Sequence, residues 1–265
     1  MQKFFWIVAV CALGTSASAA DILSFYGSPS FGPAANWTGI YVGLNGGWTG
    51  SWIDRAQNSG TDTGTAGLGT AIQQGAIPTQ VTLHDNGFVG GGQLGLNWQF
   101  AGNWVAGLEA DFDGISARSN VAVAFPGDAV IPPITTTYSR ELDSVGTVRA
   151  RLGYLSSSAL LWYATTGLAY GRTKFGTAAA CQLWTPPCGP TTVSSPPMSS
   201  GWTFGGGVEW QFVPGWSLRA EYLYTDLGTL TNTVTYGYGN NRSSLSSRLD
   251  ESDNIVRVGF SYRLF

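Results

Sequence analysis

Residues Ile255 to Phe265 read IVRVGFSYRLF, and this closing stretch of a 265-residue chain decides how the rest is read. Val256, Val258, Phe260, Tyr262 and Leu264 fall on one face of a strand, and Arg257, Gly259, Ser261 and Arg263 on the other, because successive side chains point to opposite faces. A final strand with one apolar and one polar face suits a sheet with lipid outside and a polar lumen inside. The expectation is a transmembrane β-barrel.

The opposite end of the chain reads as an export route. Lys3 supplies a positive start, Phe4 to Leu13 an apolar stretch and Ala17-Ser18-Ala19-Ala20 a small-residue cleavage site, the three parts of a secretory signal peptide. The expected division is a signal peptide at 1–20, a Pro, Gly and Ser-rich periplasmic lead-in at 21–36 and a barrel at 37–265. The apolar stretch is too short to span a bilayer, which takes about 17 to 25 residues, and no later segment is longer. Membrane residence therefore requires a closed barrel. Cys11 does not make a lipoprotein site, since Val10 stands where a small residue is wanted.

Charged residues make up 11% of the chain, against a usual ~25%, while glycine (37) and tryptophan (11) are plentiful. Lys3 and Lys174 are the two lysines, so the exported chain lacks the residue that most often coats soluble domains. A net charge of -3 without clustered Lys and Arg argues against nucleic acid as a partner. His84 is the sole histidine, which excludes a metal site built on several of them. A lone histidine could serve a serine as general base, but His84 ends a long loop with no cue pairing it to a serine and an acid, and reads as a solvated loop residue. Gly90-Gly91-Gly92-Gln93-Leu94-Gly95 matches the dinucleotide fingerprint, yet no helix follows to receive a pyrophosphate. The chain reads as non-enzymatic and without a cofactor.

Period-two alternation places strands at Gly39 to Gly50, Gly87 to Phe100, Asn103 to Ile115, Glu141 to Leu155, Leu160 to Lys174, Gly201 to Phe212, Trp216 to Leu227 and Asn254 to Phe265. Ala101-Gly102, Ser156 to Ala159 and Val213-Pro214-Gly215 are tight turns. Ser51 to Asn86, Ser116 to Arg140, Phe175 to Ser200 and Gly228 to Asp253 read as loops of roughly 25 to 36 residues, well beyond the usual connection. Eight strands with short periplasmic turns and long extracellular loops are the outer-membrane pattern.

Tryptophan placement supports two interfacial belts. Trp37, Trp98, Trp104, Trp162, Trp210 and Trp216 sit at strand ends facing the tight turns, and Trp48, Trp52 and Trp202 at or beyond ends facing the long loops. A soluble lipocalin-like barrel, burying the apolar stripe and hydrating the polar one, is the strongest alternative of another class. The polar stripe argues against it: Gly91, Gln93, Gly95, Asn97 and Gln99 make a poor soluble exterior, which normally carries mixed charges.

On the polar parity, near mid-strand, lie Glu109, Asp111, Arg149, Arg151, Glu209, Arg219, Glu221 and Arg257. An eight-stranded barrel leaves room inside only for side chains, so these four acids and four bases are expected to pair, as a plug that ties strands together or as a charged constriction that guides ions. Arg263 shares the parity but belongs to the periplasmic rim. Cys181 and Cys188, flanking Pro186-Pro187 in the third long loop, could close a disulfide in an oxidising compartment or stay as two free thiols.

Four segments resemble the opacity-type outer-membrane β-barrel proteins of alpha-proteobacteria, which include the outer-membrane immunogenic proteins. They are Trp37-Thr38-Gly39-Ile40-Tyr41-Val42-Gly43, the run from Trp104 to Phe112 (WVAGLEADF), the run from Gly146 to Tyr154 (GTVRARLGY) and the run from Arg219 to Gly228 (RAEYLYTDLG). The resemblance covers essentially the whole mature chain. It implies a non-enzymatic protein of the cell outer membrane with an envelope-structural and surface-exposed role, as antigen or in interactions, with a narrow porin-like channel as the alternative. The implied partners are outer-membrane lipid, the barrel-assembly machinery and an exterior ligand or host surface met through the loops. It also implies that the C-terminal strand, through Tyr262, Leu264 and Phe265, is what the assembly machinery reads. The family usually ends in Tyr, a basic residue and Phe, whereas here Leu264 takes that place and Phe265 follows.

Overall fold

The structure, a computed structural model, describes residues 36–51, 54–63, 67–128, 133–181, 191–194, 198–238 and 241–264. The expectations for the signal peptide, for the lead-in before Asn36, and for Trp52, Cys188 and Phe265 lie outside the described residues, as does the Cys181 side chain. The strands are β1 (Gly39–Gly50), β2 (Asp54–Thr63), β3 (Gln80–Leu83), β4 (Asn86–Phe100), β5 (Trp104–Phe125), β6 (Ile134–Ser157), β7 (Leu160–Cys181), β8 (Thr191–Ser194), β9 (Ser199–Val213), β10 (Trp216–Tyr238) and β11 (Asn241–Arg263). One short helix, α1 (Leu68–Gln73), lies between β2 and β3.

Eight strands close a ring in the order β1, β4, β5, β6, β7, β9, β10, β11, with β11 returning to β1. Every pairing in it is antiparallel, and closure runs from Tyr41 opposite Arg263 to Gly50 opposite Asn254. Three hairpin turns join the ring at one end. In the three-residue β4–β5 turn, Ala101 (φ 45°) and Gly102 (φ 77°) both adopt the left-handed backbone.

Near the turns, large apolar side chains face outward. Trp162 to Tyr170 and Val256 to Leu264 each present alternate exposed residues over nine positions, as does Trp104 to Phe112 apart from the half-buried Ala106. Eight steps of about 3.3 Å at a tilt of about 40° rise roughly 20 Å, close to the apolar band of a bilayer-spanning barrel. Trp98, Trp104, Trp162, Trp210 and Trp216 ring this band at the turn end, with Trp48 and Trp202 at the other, all exposed. Trp37 departs from the expectation: it is 3% exposed and points inward, packing on Val105, Leu155, Leu161 and Tyr163, with its indole N–H donating to the Ser158 carbonyl at 3.1 Å. Its position shares the inward parity of Tyr41, Gly47 and Thr49 on β1, so it continues the inward face of that strand below the ring.

The expected long loops are largely strand. β5, β6, β7, β10 and β11 run well past the lipid band, β2 adds to the far half of β11 (Arg55 opposite Asp250 to Thr63 opposite Arg242), β3 adds to β2, and β8 to β7. The result is a walled vault beyond the membrane.

In that vault the polarity of the two faces is reversed. Along β11, Val256, Val258 and Phe260 point outward, whereas Leu245, Leu249 and Ile255 point inward and Ser244, Ser246, Arg248 and Asp250 point out. Outside changes from lipid to water, and each face follows its solvent. Register shifts between Leu142 and Ser144 on β6 and between Asp226 and Gly228 on β10 move the inward positions to the other parity at this boundary. Gly228, at φ 83°, supplies the backbone turn for the second. Lys174 lies on the outer vault wall, 2.9 Å from Asp143 and 3.4 Å from Glu141.

α1 caps the vault. Its side chains Leu68 and Ala71 join Ala76, Ile77, Ile134, Ala179, Val234 and Leu245 in a buried apolar cluster. Six residues are too few to hold a helix alone, and Asp62 of β2 supplies the missing partner. Its carboxylate accepts from the backbone N–H groups of Gly67 (3.1 Å), Gly69 (3.0 Å) and Thr70 (2.7 Å), and from Ser243 Oγ at 2.7 Å. Against the cost of partial burial, these hydrogen bonds hold the Asp62 carboxyl below its ordinary value. Asp62→Ala is expected to cost about 1 kcal/mol. Hydrogen exchange should locate that loss at residues 67–77 and leave the lipid band unchanged.

Candidate functional site in the barrel interior

The eight charged residues on the polar parity lie inside the lipid band in one connected network. Arg149 is central. Its guanidinium meets Glu109, Asp111 (2.8 Å) and Glu221 (3.0 Å). Arg257 meets Asp111 (2.7 Å) and Glu221 (2.7 Å), Arg219 meets Glu109 (2.6 Å), and Arg151 meets Glu209 (3.1 Å). All eight side chains are buried.

The sequence reading missed several partners. Asp113 is a fifth acid, 2.6 Å from Arg257, so five carboxylates face four guanidiniums rather than four facing four. Tyr41 donates to Glu109, Tyr163 to Glu221 (3.0 Å), Thr147 to Asp111 (2.8 Å) and Ser217 to Glu209 (2.6 Å). Arg151 Nε donates to Asn97 (2.9 Å), and its guanidinium lies 4.9 Å from the Tyr41 ring centre and 5.2 Å from that of Tyr163. Period-two parity could have found Asp113, which continues the series 109, 111. The tyrosines could not be told from belt aromatics by type alone.

Inward glycines on neighbouring strands make this density of side chains possible. A Cβ at Gly95 would stand 2.2 Å from the Tyr41 ring, one at Gly47 would stand 2.8 Å from the Arg257 Cβ, and one at Gly259 would stand 3.0 Å from Arg219 Nε. Each large inward side chain lies over a glycine across the ladder.

Beyond this network the interior is closed again. An apolar layer follows (Val89, Ile115, Ala117, Leu142, Val145, Ala169, Leu223, Leu227, Ile255). Next comes a second buried charge cluster, in which Arg140 of β6 meets Asp85, Glu251 (2.8 Å) and Asp253 (2.8 Å). These positions fall in segments read from the sequence as loops, so no parity was assigned to them. Burial, only partly offset by Arg140, raises the Asp253 carboxyl to about 6. Above it lie the apolar cluster around Leu83, Tyr138, Phe175, Leu230 and Leu249, and then the α1 cap. Burial likewise raises the Tyr138 phenol to about 12.

Three apolar layers and two ion-paired layers stand in series, the first pairing five carboxylates with four guanidiniums and the second three with one. Such an arrangement ties strands together. His84 is exposed between β3 and β4, away from this interior, and Gly90 to Gly95 lie within β4.

Residues 7–263 match the family described as Outer membrane protein beta-barrel domain. The chain is 34% identical over 267 aligned positions to the 31 kDa outer-membrane immunogenic protein of Brucella melitensis biotype 1, covering 94% of each, and equally so to that of Brucella suis biovar 1. Among solved structures, the outer membrane protein OprG of Pseudomonas aeruginosa aligns at 11% identity and a TM-score of 0.38, over 88% of this chain and 100% of that one.

Proposed function

Since this chain belongs to the outer membrane protein β-barrel domain family, we propose that it is a sealed, non-enzymatic envelope barrel that presents its vault, and not an open lumen, to the exterior. It resides in the outer membrane, with lipid around the apolar band. The observation that carries the reading is the unbroken series of interior layers, from the Glu109 and Arg149 network to the α1 cap.

A non-enzymatic role fits an interior whose acids and bases are engaged with one another. The relatives are named as immunogenic proteins, which supports a surface role for the vault toward a host surface or exterior ligand. Within the same reading, residues 1–20 are the cleaved export signal, Cys181 and Cys188 form a disulfide on the outer side, and Tyr262, Leu264 and Phe265 are read by the assembly machinery.

Purified protein in planar bilayers is expected to show little steady conductance. Frequent, stable openings would overturn the sealed reading in favour of a narrow channel, with the Glu109 to Arg257 network as its constriction.

A further inference from the structure

We propose that the excursion carrying β2, α1 and β3 is a lid over the vault, latched by the Arg140 cluster, and that the latch tightens when that cluster takes up a proton. The excursion leaves β1 at Ser51 and returns to β4 at Asp85, and the two ends are tied together. Ser51 N–H lies 3.2 Å from both the Asp85 carbonyl and its Oδ1, and Asp85 N–H donates to Ser51 Oγ at 3.4 Å. Above this neck the excursion is held by the β2–β11 ladder and by the apolar face of α1. β3 ends its sheet path, bonded among the described residues to β2 alone.

Arg140 reaches from β6 to the neck carboxylate of Asp85 and also grips Glu251 and Asp253 of β11 at 2.8 Å each. One cation thus joins the lid's neck to two walls. All three carboxylates are buried, and among the described residues the charged groups facing Asp253 are Arg140, Asp85 and Glu251. β7 adds the Thr173 hydroxyl (2.6 Å to Glu251), β9 the Ser199 hydroxyl (3.4 Å to Glu251), and β10 places Thr225 opposite Asp253. Three buried carboxylates on one guanidinium repel one another when all are ionised, and a proton on one of them relieves that repulsion while leaving the Arg140 bonds to the others.

All these groups lie beyond the lipid band, which ends on β11 at Val256. The closed latch holds Asp253 at about 6, above its ordinary 3.8. A raised carboxyl favours the closed form at low pH, and that advantage is lost as pH rises through about 6. With the ordinary value in the open form, the opening equilibrium rises roughly ten- to thirtyfold between about pH 4.5 and about pH 7.5. Asp62 acts in the opposite sense only in stronger acid, because its carboxyl is held low.

Hydrogen exchange of the full chain in lipid, corrected for the intrinsic rate at each pH, tests the lid at β2 and α1 against the lipid band as an internal reference. Protection of β2 and α1 is expected to fall tenfold or more from about pH 4.5 to about pH 7.5 while the band stays constant. Asp253→Asn, which holds the neutral state, should keep the acid-level protection at both values, with less than about a twofold change. Equal protection of native β2 and α1 at the two pH values, loss of protection in the band to the same degree, or an undiminished pH effect in Asp253→Asn would each overturn the latch. The native comparison decides by itself if that variant does not fold. The lid stands or falls independently of whether the lumen conducts.

Discussion

Arg149→Ala is expected to destabilise the barrel by about 3–5 kcal/mol, because it leaves buried carboxylates without their cation. Glu109 keeps Arg219 and Tyr41, Asp111 and Glu221 keep Arg257, but each loses the guanidinium that joins β5 to β10 across the lumen. The pair energy itself is not what is forfeited. The cost is that of holding excess negative charge in a buried space, around which side chains from all eight ring strands pack. Arg149→Lys should fall between native and Ala, because an ammonium keeps the charge but cannot bridge three carboxylates with a planar fork. Urea unfolding of refolded barrels in detergent, with the heat-modifiable gel shift as a second readout, measures both. A loss below about 0.5 kcal/mol for Arg149→Ala would show that the network relaxes or takes in solvent, and would remove its structural role.

Phe175→Ala should cost a similar amount, about 3–5 kcal/mol, yet in a different place. Phe175 is fully buried on the far half of β7, in the cluster with Leu83, Tyr138, Leu230 and Leu249. No lipid band braces this part of the ring. The cavity left by the ring should therefore open the vault first, as a local transition preceding unfolding of the membrane portion. Hydrogen exchange resolved by segment is the measurement: accelerated exchange in β2, β3 and the far halves of β6, β10 and β11, with native protection from Trp162 to Tyr170. Uniform loss along whole strands would mean that vault and band unfold as one unit.

These two substitutions probe parts of the molecule that were unequally legible in the sequence. The charged network was legible because each of its members sits on the polar parity of a strand whose other parity is uninterrupted apolar residue, as in Arg257 between Val256 and Val258. In lipid that contrast has only one solution, since backbone polar groups must pair in a closed ring and charged side chains must turn inward. The far halves carried no such contrast. Thr229, Thr231, Thr233 and Thr235 alternate with Leu230, Asn232 and Val234, a weak pattern between glycines, and in Thr-rich sequence it reads as loop.

The sequence by itself determined the class of fold, the number of strands in the ring, the turn side and eight of the nine charged residues that pair across the lumen, because period two and the lipid's intolerance of unpaired backbone leave little choice. Tertiary structure alone decided that the strands continue beyond the membrane and that Arg140 gathers Asp85, Glu251 and Asp253. The physical reason is the same in each case. Which face of a strand is inside depends on what surrounds it, and above the band the surroundings change from lipid to water while the ring goes on. The apolar-in, polar-out arrangement of a soluble barrel and the reverse arrangement of a membrane barrel therefore occupy successive stretches of the same strands, joined where β6 and β10 shift register.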